Sequence, residues 1–288
     1  MKTLLLIDAN SLIHRFFHAM PPFTDLEGNP SGALYGLSGV ILKILREQRP
    51  DYIAAAYDTP EKTFREEEFK EYKIHRPPTA NELVHQLINS RRVFEAFKIN
   101  VFPVPGFEAD DILGTLAEKF KNELDTKIVI LSGDNDMLQL VEDEKILVQI
   151  IKTGITETVM YDESAVNTKY GLKPDKLTDY KGLVGDQSDN IPGIKGVGPK
   201  TASLLIKEFG NIENIFDNLG VIPDKIRKKI EGGKEVAMLS KRLATIRRDV
   251  PIKIGGLNEL KTAELDKNVV QSYFEKMGFG SLILRLNK

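Results

Sequence analysis

Short apolar runs that end on aspartate alternate with helix-length amphipathic segments in the first half of the chain. Three runs have this form: Thr3 to Asp8, Tyr52 to Asp58 and Lys127 to Asp136. Unbroken apolar runs are typical of parallel strands buried on both faces. Between them, Gly32 to Gln48 and Asn81 to Phe97 carry apolar residues at helical spacing. The pattern predicts an α/β fold, a mostly parallel central sheet flanked by helices, with the aspartates at the strand ends where such sheets bind ligands.

The pattern changes near residue 162, where glycine-punctuated helical segments replace the strands. We predict an α/β core over 1–162 and a helical region over 163–288, with a helix-hairpin-helix motif at about 186–208. Within the core, Thr59 to Glu82 is densely charged, poor in aliphatic residues and closed by two prolines. This segment is expected to form an exposed excursion over the edge of the sheet.

Composition narrows the chemistry. A chain of 288 residues that is 41% hydrophobic can bury a substantial core, and the absence of cysteine excludes disulfides and thiolate metal sites. The apolar run at the N-terminus is too short for a signal peptide or a membrane span, so we expect an intracellular protein with no membrane partner. The charges nearly balance, 40 basic against 42 acidic. Binding to nucleic acid would therefore need a local basic patch.

Nine acids fall at or just after the predicted strand ends: Asp8, Asp58, Glu108, Asp110, Asp111, Asp134, Asp136, Asp186 and Asp189. A lone aspartate there is usually a helix cap or a turn residue. One N-cap needs one acid, however, and the helix predicted to start near Glu108 has three. Carboxylates gathered in one pocket raise each other's pKa unless cations neutralise them. We therefore predict Mg²⁺ or Mn²⁺, two ions of which would activate water and stabilise the leaving oxygen of a phosphodiester.

Two other uses of clustered acids fit this sequence less well. A phosphotransferase of the haloacid-dehalogenase type needs a second aspartate two residues after the first, but Asn10 follows Asp8 at that spacing. An EF-hand needs a central glycine and alternating oxygen ligands, and the segment that starts at Asp134 lacks both.

Cations and a glycine-rich loop accompany the acids. Tyr72 beside Lys73 suits single-stranded nucleic acid, with a base stacked on the ring and a phosphate on the ammonium; the alternative for Lys73 and Arg76 is a solvated charge run. The segment IPGIKGVGPKTA has the spacing of a helix-hairpin-helix turn, whose backbone can approach phosphate, although a purely structural turn is the alternative. We expect DNA contacts from Tyr72, Gly193, Lys195, Gly196, Gly198, Lys200 and Thr201.

Over essentially its whole length the sequence resembles the 5′-nuclease, or flap endonuclease, domain of bacterial DNA polymerase I and its stand-alone and phage relatives. The motifs LLLIDANSLIHRFFHA, AAYD, EYKIHRPPTA, VPGFEADDILGTLA, LSGDNDMLQLV and LVGDQSDNIPGIKGVGPKTA occur in the order and spacing of that family. The resemblance implies one metal site built from Asp8, Asp58, Glu108, Asp110 and Asp111, and a second from Asp134, Asp136, Asp186 and Asp189.

The resemblance also assigns roles to the remaining motifs. It implies that Arg15, Lys73 and Arg76 contact the scissile phosphate or orient the strand. The excursion from Thr59 to Glu82 would form the helical arch through which a flap threads. The glycine loop would bind K⁺ together with a duplex phosphate.

These features predict a Mg²⁺-dependent 5′-3′ exonuclease and flap endonuclease, in which Mn²⁺ can replace Mg²⁺. Its substrates would be flaps, nicks, 5′-ended duplexes and RNA primer–DNA junctions in replication and repair. We expect it in the bacterial cytoplasm at the nucleoid, with a polymerase region in cis or in trans as a partner. Two alternatives are a non-catalytic paralogue that binds branched DNA, which the complete set of acids disfavours, and a PIN-type ribonuclease, which the glycine loop disfavours. The balance of exonuclease to endonuclease activity stays open.

Overall fold

One six-stranded sheet organises the first part of the molecule. The computed structural model describes residues 1–153 and 157–288. The strands are β1 (Lys2–Asp8), β2 (Tyr52–Tyr57), β3 (Asn100–Pro103), β4 (Thr126–Ser132), β5 (Ile146–Thr153) and β6 (Glu157–Tyr161). They lie in the order β3-β2-β1-β4-β5-β6, and every pair is parallel except β5 with β6. The predicted mostly parallel sheet is confirmed.

Helices cover both faces of this sheet, as predicted. On one face lie α1 (Ala9–Ala19), α2 (Gly32–Glu47) and α4 (Asn81–Ala96), and on the other lies α5 (Ala109–Phe120). The short helix α3 (Phe64–Glu68) precedes α4 and belongs to the charged excursion. Side chains alternate along β1, so Leu5 and Ile7 pack with α1, α2 and α4, whereas Leu4 and Leu6 pack with α5. A strand that packs against apolar side chains on both faces has a continuous apolar sequence, and this is why the sequence predicts β1 and β2.

The later part of the chain is helical and has a core of its own. It contains α6 (Glu163–Tyr170), α7 (Leu177–Val184), α8 (Pro199–Phe209), α9 (Ile212–Asp217), α10 (Asp224–Ile230) and α11 (Lys234–Ala244). Buried apolar side chains from α7 to α11, among them Leu183, Leu205, Ile215 and Ala237, form one cluster. The boundary predicted at residue 162 follows the end of β6 directly.

The last two helices return to the sheet. Helices α12 (Lys267–Lys276) and α13 (Gly280–Leu286) place Phe274 and Leu282 in the core that α1, α2 and α4 form against β1. The boundary predicted at residue 162 places both helices in the helical region, but their apolar faces are buried against the sheet domain. In the described part of the chain, no helix has both the length and the apolar character needed to cross a membrane.

The charged excursion lies over the carboxyl ends of the strands. It contains the short helix α3, a series of turns as far as Arg76 and two prolines before α4. The Lys73 N–H donates to the Asp189 carbonyl at 2.9 Å, and the Asn190 amide donates to the Glu71 carbonyl at 2.7 Å. These contacts hold the excursion, called the arch below, against the segment that follows α7.

Candidate active site at the carboxyl edge of the sheet

A cavity of about 360 Å³ opens where β1, β2 and β4 end and α5 begins. The arch contributes Lys73 and Arg76 to its wall, and α1 contributes His14. Six of the nine predicted acids line it: Asp8, Asp58, Glu108, Asp110, Asp134 and Asp189. The fold therefore brings together acids that are up to 181 residues apart in the sequence (8 to 189).

Hydrogen bonds at the start of α1 fix Asp8 at the bottom of this cavity. Its carboxylate is only 2% exposed and accepts from the Ser11 N–H at 3.0 Å and from the Ser132 hydroxyl at 2.7 Å. The Ser11 hydroxyl in turn accepts from the Gly133 N–H at 2.7 Å. Because β1 and β4 are neighbours, this network joins their two carboxyl ends.

Three more acids of the cavity meet at the start of α5. Glu108 and Asp110 belong to this helix start, and Asp58 is hydrogen-bonded to it. Asp58 accepts from the Ala109 N–H at 2.7 Å, so it satisfies a free amide of the helix terminus. Glu108 and Asp111 form a reciprocal capping box, in which Asp111 accepts from the Glu108 N–H at 3.2 Å. Two of the three acids therefore take part in capping, contrary to the expectation that one cap needs only one acid.

Asp111 does not reach the cavity, which corrects its assignment as a metal ligand. Its fully buried carboxylate receives two hydrogen bonds from the Arg65 guanidinium, at 2.7 and 2.8 Å, and one from the Arg247 N–H at 2.8 Å. Neighbouring helix positions project in different directions, so Asp110 faces the cavity while Asp111 faces the base of the arch.

Asp136 and Asp186 lie beside the cavity rather than in its wall, and a lysine joins them. The Lys181 ammonium forms an ion pair with Asp136 and another, at 2.7 Å, with Asp186. Sequence analysis missed Lys181, although its position on α7, five residues before Asp186, was a usable signal.

Arch cations are paired with the acids that they cover. The Lys73 ammonium lies 2.7 Å from Glu108 and 4.0 Å from Asp189, and the Arg76 guanidinium lies 2.5 Å from Asp189. The prediction that Tyr72 offers an open stacking surface needs correction. Its side chain is 5% exposed, and its hydroxyl donates to Asp189 at 3.1 Å and to Glu108 at 3.3 Å.

Arg15 points away from the cavity, contrary to its predicted contact with the scissile phosphate. Its guanidinium donates to the Lys152 carbonyl at the end of β5. His14, one position earlier on α1, lines the cavity instead and was missed by the sequence analysis. Burial, followed by the nearby Arg76, lowers the pKa of His14.

The glycine loop divides into a buried base and an exposed tip. Gly193 has a φ of +60°, and a Cβ there would lie 2.2 Å from the Gly185 nitrogen. The N–H of Gly193 donates to the buried Ser240 hydroxyl at 3.0 Å, so its role is to close the turn, and its predicted DNA contact is corrected. The exposed residues around the start of α8 are Lys195, Gly196, Gly198 and Lys200, and Thr201 is half-buried. Gly198 is the N-cap residue of α8 and has no side chain with which to cap the helix.

Several acids in and beside the cavity are not stabilised in their charged forms by the protein alone. Burial, followed by repulsion from neighbouring carboxylates, raises the pKa of Asp8 and Asp136 to about 7 and raises that of Asp110 well above its usual value. Lys181 and Ser188 outweigh burial at Asp186 and lower its pKa. Within residues 1–153 and 157–288, no three carboxylate or imidazole groups form a ready-made metal site. Lys73, Arg76 and Lys181 instead draw several of the acids into ion pairs.

Comparison with known proteins places this arrangement in a family. The chain is 43% identical to the DNA polymerase I of Caldicellulosiruptor bescii over 286 residues, which are 98% of this chain and 33% of that protein. It thus spans about a third of the length of the curated relatives that it matches.

Two solved structures show the shared fold. A phage T5 5′-exonuclease with bound zinc has a TM-score of 0.69 at 23% identity, covering 84% of this chain and 89% of that one. A phage T5 flap endonuclease, in complex with DNA and metal ions, has a TM-score of 0.68 at 21% identity and covers 99% of both chains.

Family models account for most of the sequence. Residues 172–268 match the C-terminal SAM fold of the 5′-3′ exonuclease. Residues 3–171, which carry β1 to β6 and the arch, match its N-terminal resolvase-like domain. The chain belongs to the 5′-3′ exonuclease family.

Proposed function

We propose that this chain is a structure-specific 5′-nuclease that hydrolyses DNA phosphodiesters with two divalent metal ions. Its substrates would be 5′ flaps, nicks, 5′-ended duplexes and RNA primer–DNA junctions, and its biological role the removal of primers and flaps in replication and repair. The observation that carries the proposal is one cavity lined by six carboxylates and by two cations of the arch.

The donor set suits hard divalent cations. The carboxylates offer oxygen ligands only, as Mg²⁺ and Mn²⁺ prefer. Burial first, and then neighbouring acids, raise the pKa of Asp8 and Asp110, so the protein alone does not stabilise their charged forms. We assign one ion to Asp8, Asp58, Glu108 and Asp110. The other would bind Asp134 and Asp189 in the cavity wall together with Asp136 and Asp186 beside it, in place of their ion pairs with Lys181. When bound, the ions would supply an activated water and stabilise the leaving oxygen.

Within this proposal the arch orients the strand that is cut. The Lys73 and Arg76 cations lie at the cavity wall, where a phosphodiester among the acids would meet them. Substrate and metal ions would take over the charges of Glu108 and Asp189, and the two cations would then be available to the phosphate.

Duplex DNA would bind at the tip of the glycine loop. The first-turn amides of a helix have no intrahelical partners; at α8 they are those of Lys200 and Thr201, because Pro199 has no N–H, and Lys200 is exposed. The exposed Lys195 lies in the loop that precedes them. A K⁺ ion at this loop would add to the attraction for phosphate. A polymerase region in cis or in trans is a further proposed partner, because the polymerase relatives are about three times as long as this chain.

Metal removal tests the proposal most directly. Cleavage of an end-labelled 5′-flap DNA should stop in EDTA and return with Mg²⁺ or Mn²⁺, because the cavity acids otherwise repel the phosphodiester. Calcium should support binding of the flap with little cutting. Undiminished cleavage in chelator would refute the two-metal proposal.

Stability should fall as pH rises in the metal-free protein. Asp8 and Asp136 have folded-state pKa values of about 7 against 3.8 in the unfolded chain, so the folded chain keeps protons that the unfolded chain has released, and this stabilisation disappears as pH rises through 7. We expect Asp110→Asn, which removes a neighbouring charge, to raise the melting temperature in EDTA by roughly 3 °C or more at about pH 8, and by less at about pH 5.5. Scanning calorimetry of the wild type and of Asp110→Asn at both pH values measures this. An equal rise in melting temperature at the two pH values would contradict the predicted pH dependence of stability.

Variants of the cavity acids should lose cleavage, whereas variants of the glycine loop should lose DNA binding. Asp110→Asn should abolish cleavage and preserve or tighten flap binding, because it removes negative charge near the phosphate. Lys200→Ala should weaken binding to all sequences and lower the salt slope by about one ion, as expected for one lost phosphate contact. Lys43→Ala, an exposed lysine on α2, serves as the control. Fluorescence anisotropy at several salt concentrations measures both effects, and similar binding losses in the two variants would disprove this division.

Lys73 should act mainly on the chemical step. Lys73→Ala should lower single-turnover cleavage by about 10²-fold or more, the scale for one lost electrostatic donor. The flap Kd should change by less than about threefold, because at most one weak phosphate contact is lost. Arg76→Ala should behave similarly, whereas Lys62→Ala, before α3, should change mostly the association rate. Quench-flow cleavage and fluorescence anisotropy together measure this, and wild-type cutting by bound Lys73→Ala would show that its ion pair with Glu108 does not contribute to the chemical step.

A further inference from the structure

Arg65 is buried at the junction of three parts of the molecule. Its side chain is 3% exposed and lies where the base of the arch, the start of α5 and the end of α11 meet. The guanidinium donates to both carboxylate oxygens of Asp111, at 2.7 and 2.8 Å. It also donates to the carbonyls of Leu243 at 2.8 Å and Thr245 at 2.9 Å. Four directional hydrogen bonds therefore fix the arch base to two other elements at once.

The same guanidinium is next to the cavity without belonging to its wall. One terminal nitrogen lies 3.5 Å from a carboxylate oxygen of Glu108, which does line the cavity. Asp111, the main partner of Arg65, accepts from the Glu108 N–H. The position of Glu108 is thus determined by Arg65 both directly and through Asp111.

Helix α11 connects Arg65 to the glycine loop. Ser240, fully buried on α11, accepts from the Gly193 N–H at 3.0 Å at the base of that loop. Leu243, which accepts from Arg65, is three residues later on the same helix. A rigid helical turn therefore separates the anchor of the loop from the anchor of the arch and of α5.

We propose that Arg65 is a positioning residue that sets the cleavage register, the distance between the duplex held at the glycine loop and the phosphodiester presented to the carboxylates. The inference rests on the proposed nuclease function and deepens it. Successive phosphates of one strand rise only about 3.4 Å along the axis of a duplex. A shift of the arch base and α5 by a fraction of that distance would let two adjacent phosphodiesters compete for the same acids.

Geometry rather than charge is the property required of Arg65. Its planar fork of N–H groups matches a carboxylate and two carbonyls at the same time, whereas a lysine ammonium has three donors on a flexible stem. Arg65→Lys therefore keeps the positive charge beside Asp111 and removes the fixed directions.

Arg242 offers a matched control. Its guanidinium lies 2.7 Å from Glu68, so it joins α11 to α3, the two helices that the hydrogen bond from Arg65 to Leu243 also joins. The side chain of Arg242, however, is 55% exposed. Exposed pairs of this kind contribute little because solvent screens them. Arg242→Lys should therefore leave the spacing of the elements unchanged.

Single-turnover cleavage of a 5′-flap DNA, resolved at single nucleotides, tests the proposal. In the wild type we expect one dominant product. In Arg65→Lys we expect products at adjacent positions and a fall of about 10–100-fold in cutting at the main position, as a misplacement of about 1 Å produces. Asp111→Asn should share this pattern, flap Kd should stay within about threefold in both variants, and Arg242→Lys should match the wild type. Thermal melting verifies that each variant is folded.

A distance measurement tests the same proposal without relying on cleavage. The chain has no cysteine, so Lys62→Cys before α3 and Lys195→Cys on the loop provide two unique spin-label sites at exposed positions. Pulsed electron resonance should give a narrow distance distribution with Arg65 and a broadened or shifted one with Arg65→Lys.

The outcomes separate this proposal from the nuclease proposal. If the wild type cuts nothing, the proposed function fails, and the spin-label distances still decide whether Arg65 fixes the spacing. A folded Arg65→Lys protein with wild-type products and an unchanged distance distribution overturns the inference. It is also overturned if Asp111→Asn keeps the wild-type products and only raises the Mg²⁺ requirement, because Asp111 would then act on the metal.

Discussion

Uncompensated negative charge at the carboxyl edge of the sheet is the constraint to which the surrounding structure responds. Parallel strands bring their carboxyl ends to one edge, and here β1, β2 and β4 bring acids with them. Buried carboxylates at such an edge resist ionisation, and the raised pKa values of Asp8, Asp110 and Asp136 express that resistance. The arch and α7 each supply cations to this edge, so their positions are coupled to its charge.

Several of the acids serve the fold and the site together. Asp8 caps α1, Asp134 caps the short 3₁₀ helix Asn135–Leu140 that follows β4, and Glu108 caps α5. In each case the carboxylate accepts a hydrogen bond from a backbone N–H, which fixes the direction of the side chain. A carboxylate held in this way is a preorganised ligand, because its direction is fixed before a cation arrives.

The sequence predicted elements well wherever a local pattern determines the structure. Helices α2 and α4 begin at the predicted Gly32 and Asn81 and end within one residue of the predicted positions, because amphipathic spacing depends only on the helix itself. Strand β3 was missed because it has four residues and neither end is buried. The packing of α12 and α13 on the sheet was missed because an apolar face does not specify its partner. Tyr72 was misjudged for a similar reason, since it is buried in a cluster with Ile191, Leu243 and Ala244, which are distant in sequence.

The pair Asp110 and Asp111 shows why a motif of acids is an incomplete guide to a metal site. Consecutive residues on a helix project about 100° apart, so two adjacent carboxylates at one helix start cannot face the same point. Asp110 faces the cavity, and Asp111 is turned toward Arg65, whose own burial requires a negative partner. Both acids are therefore needed at this helix start for different reasons, one for the charge of the cavity and one for the attachment of the arch. Asp111 and Arg65 together hold Glu108 and the base of the arch in place. The charge that Asp110 and Glu108 bring to the cavity therefore depends on the attachment that Asp111 makes.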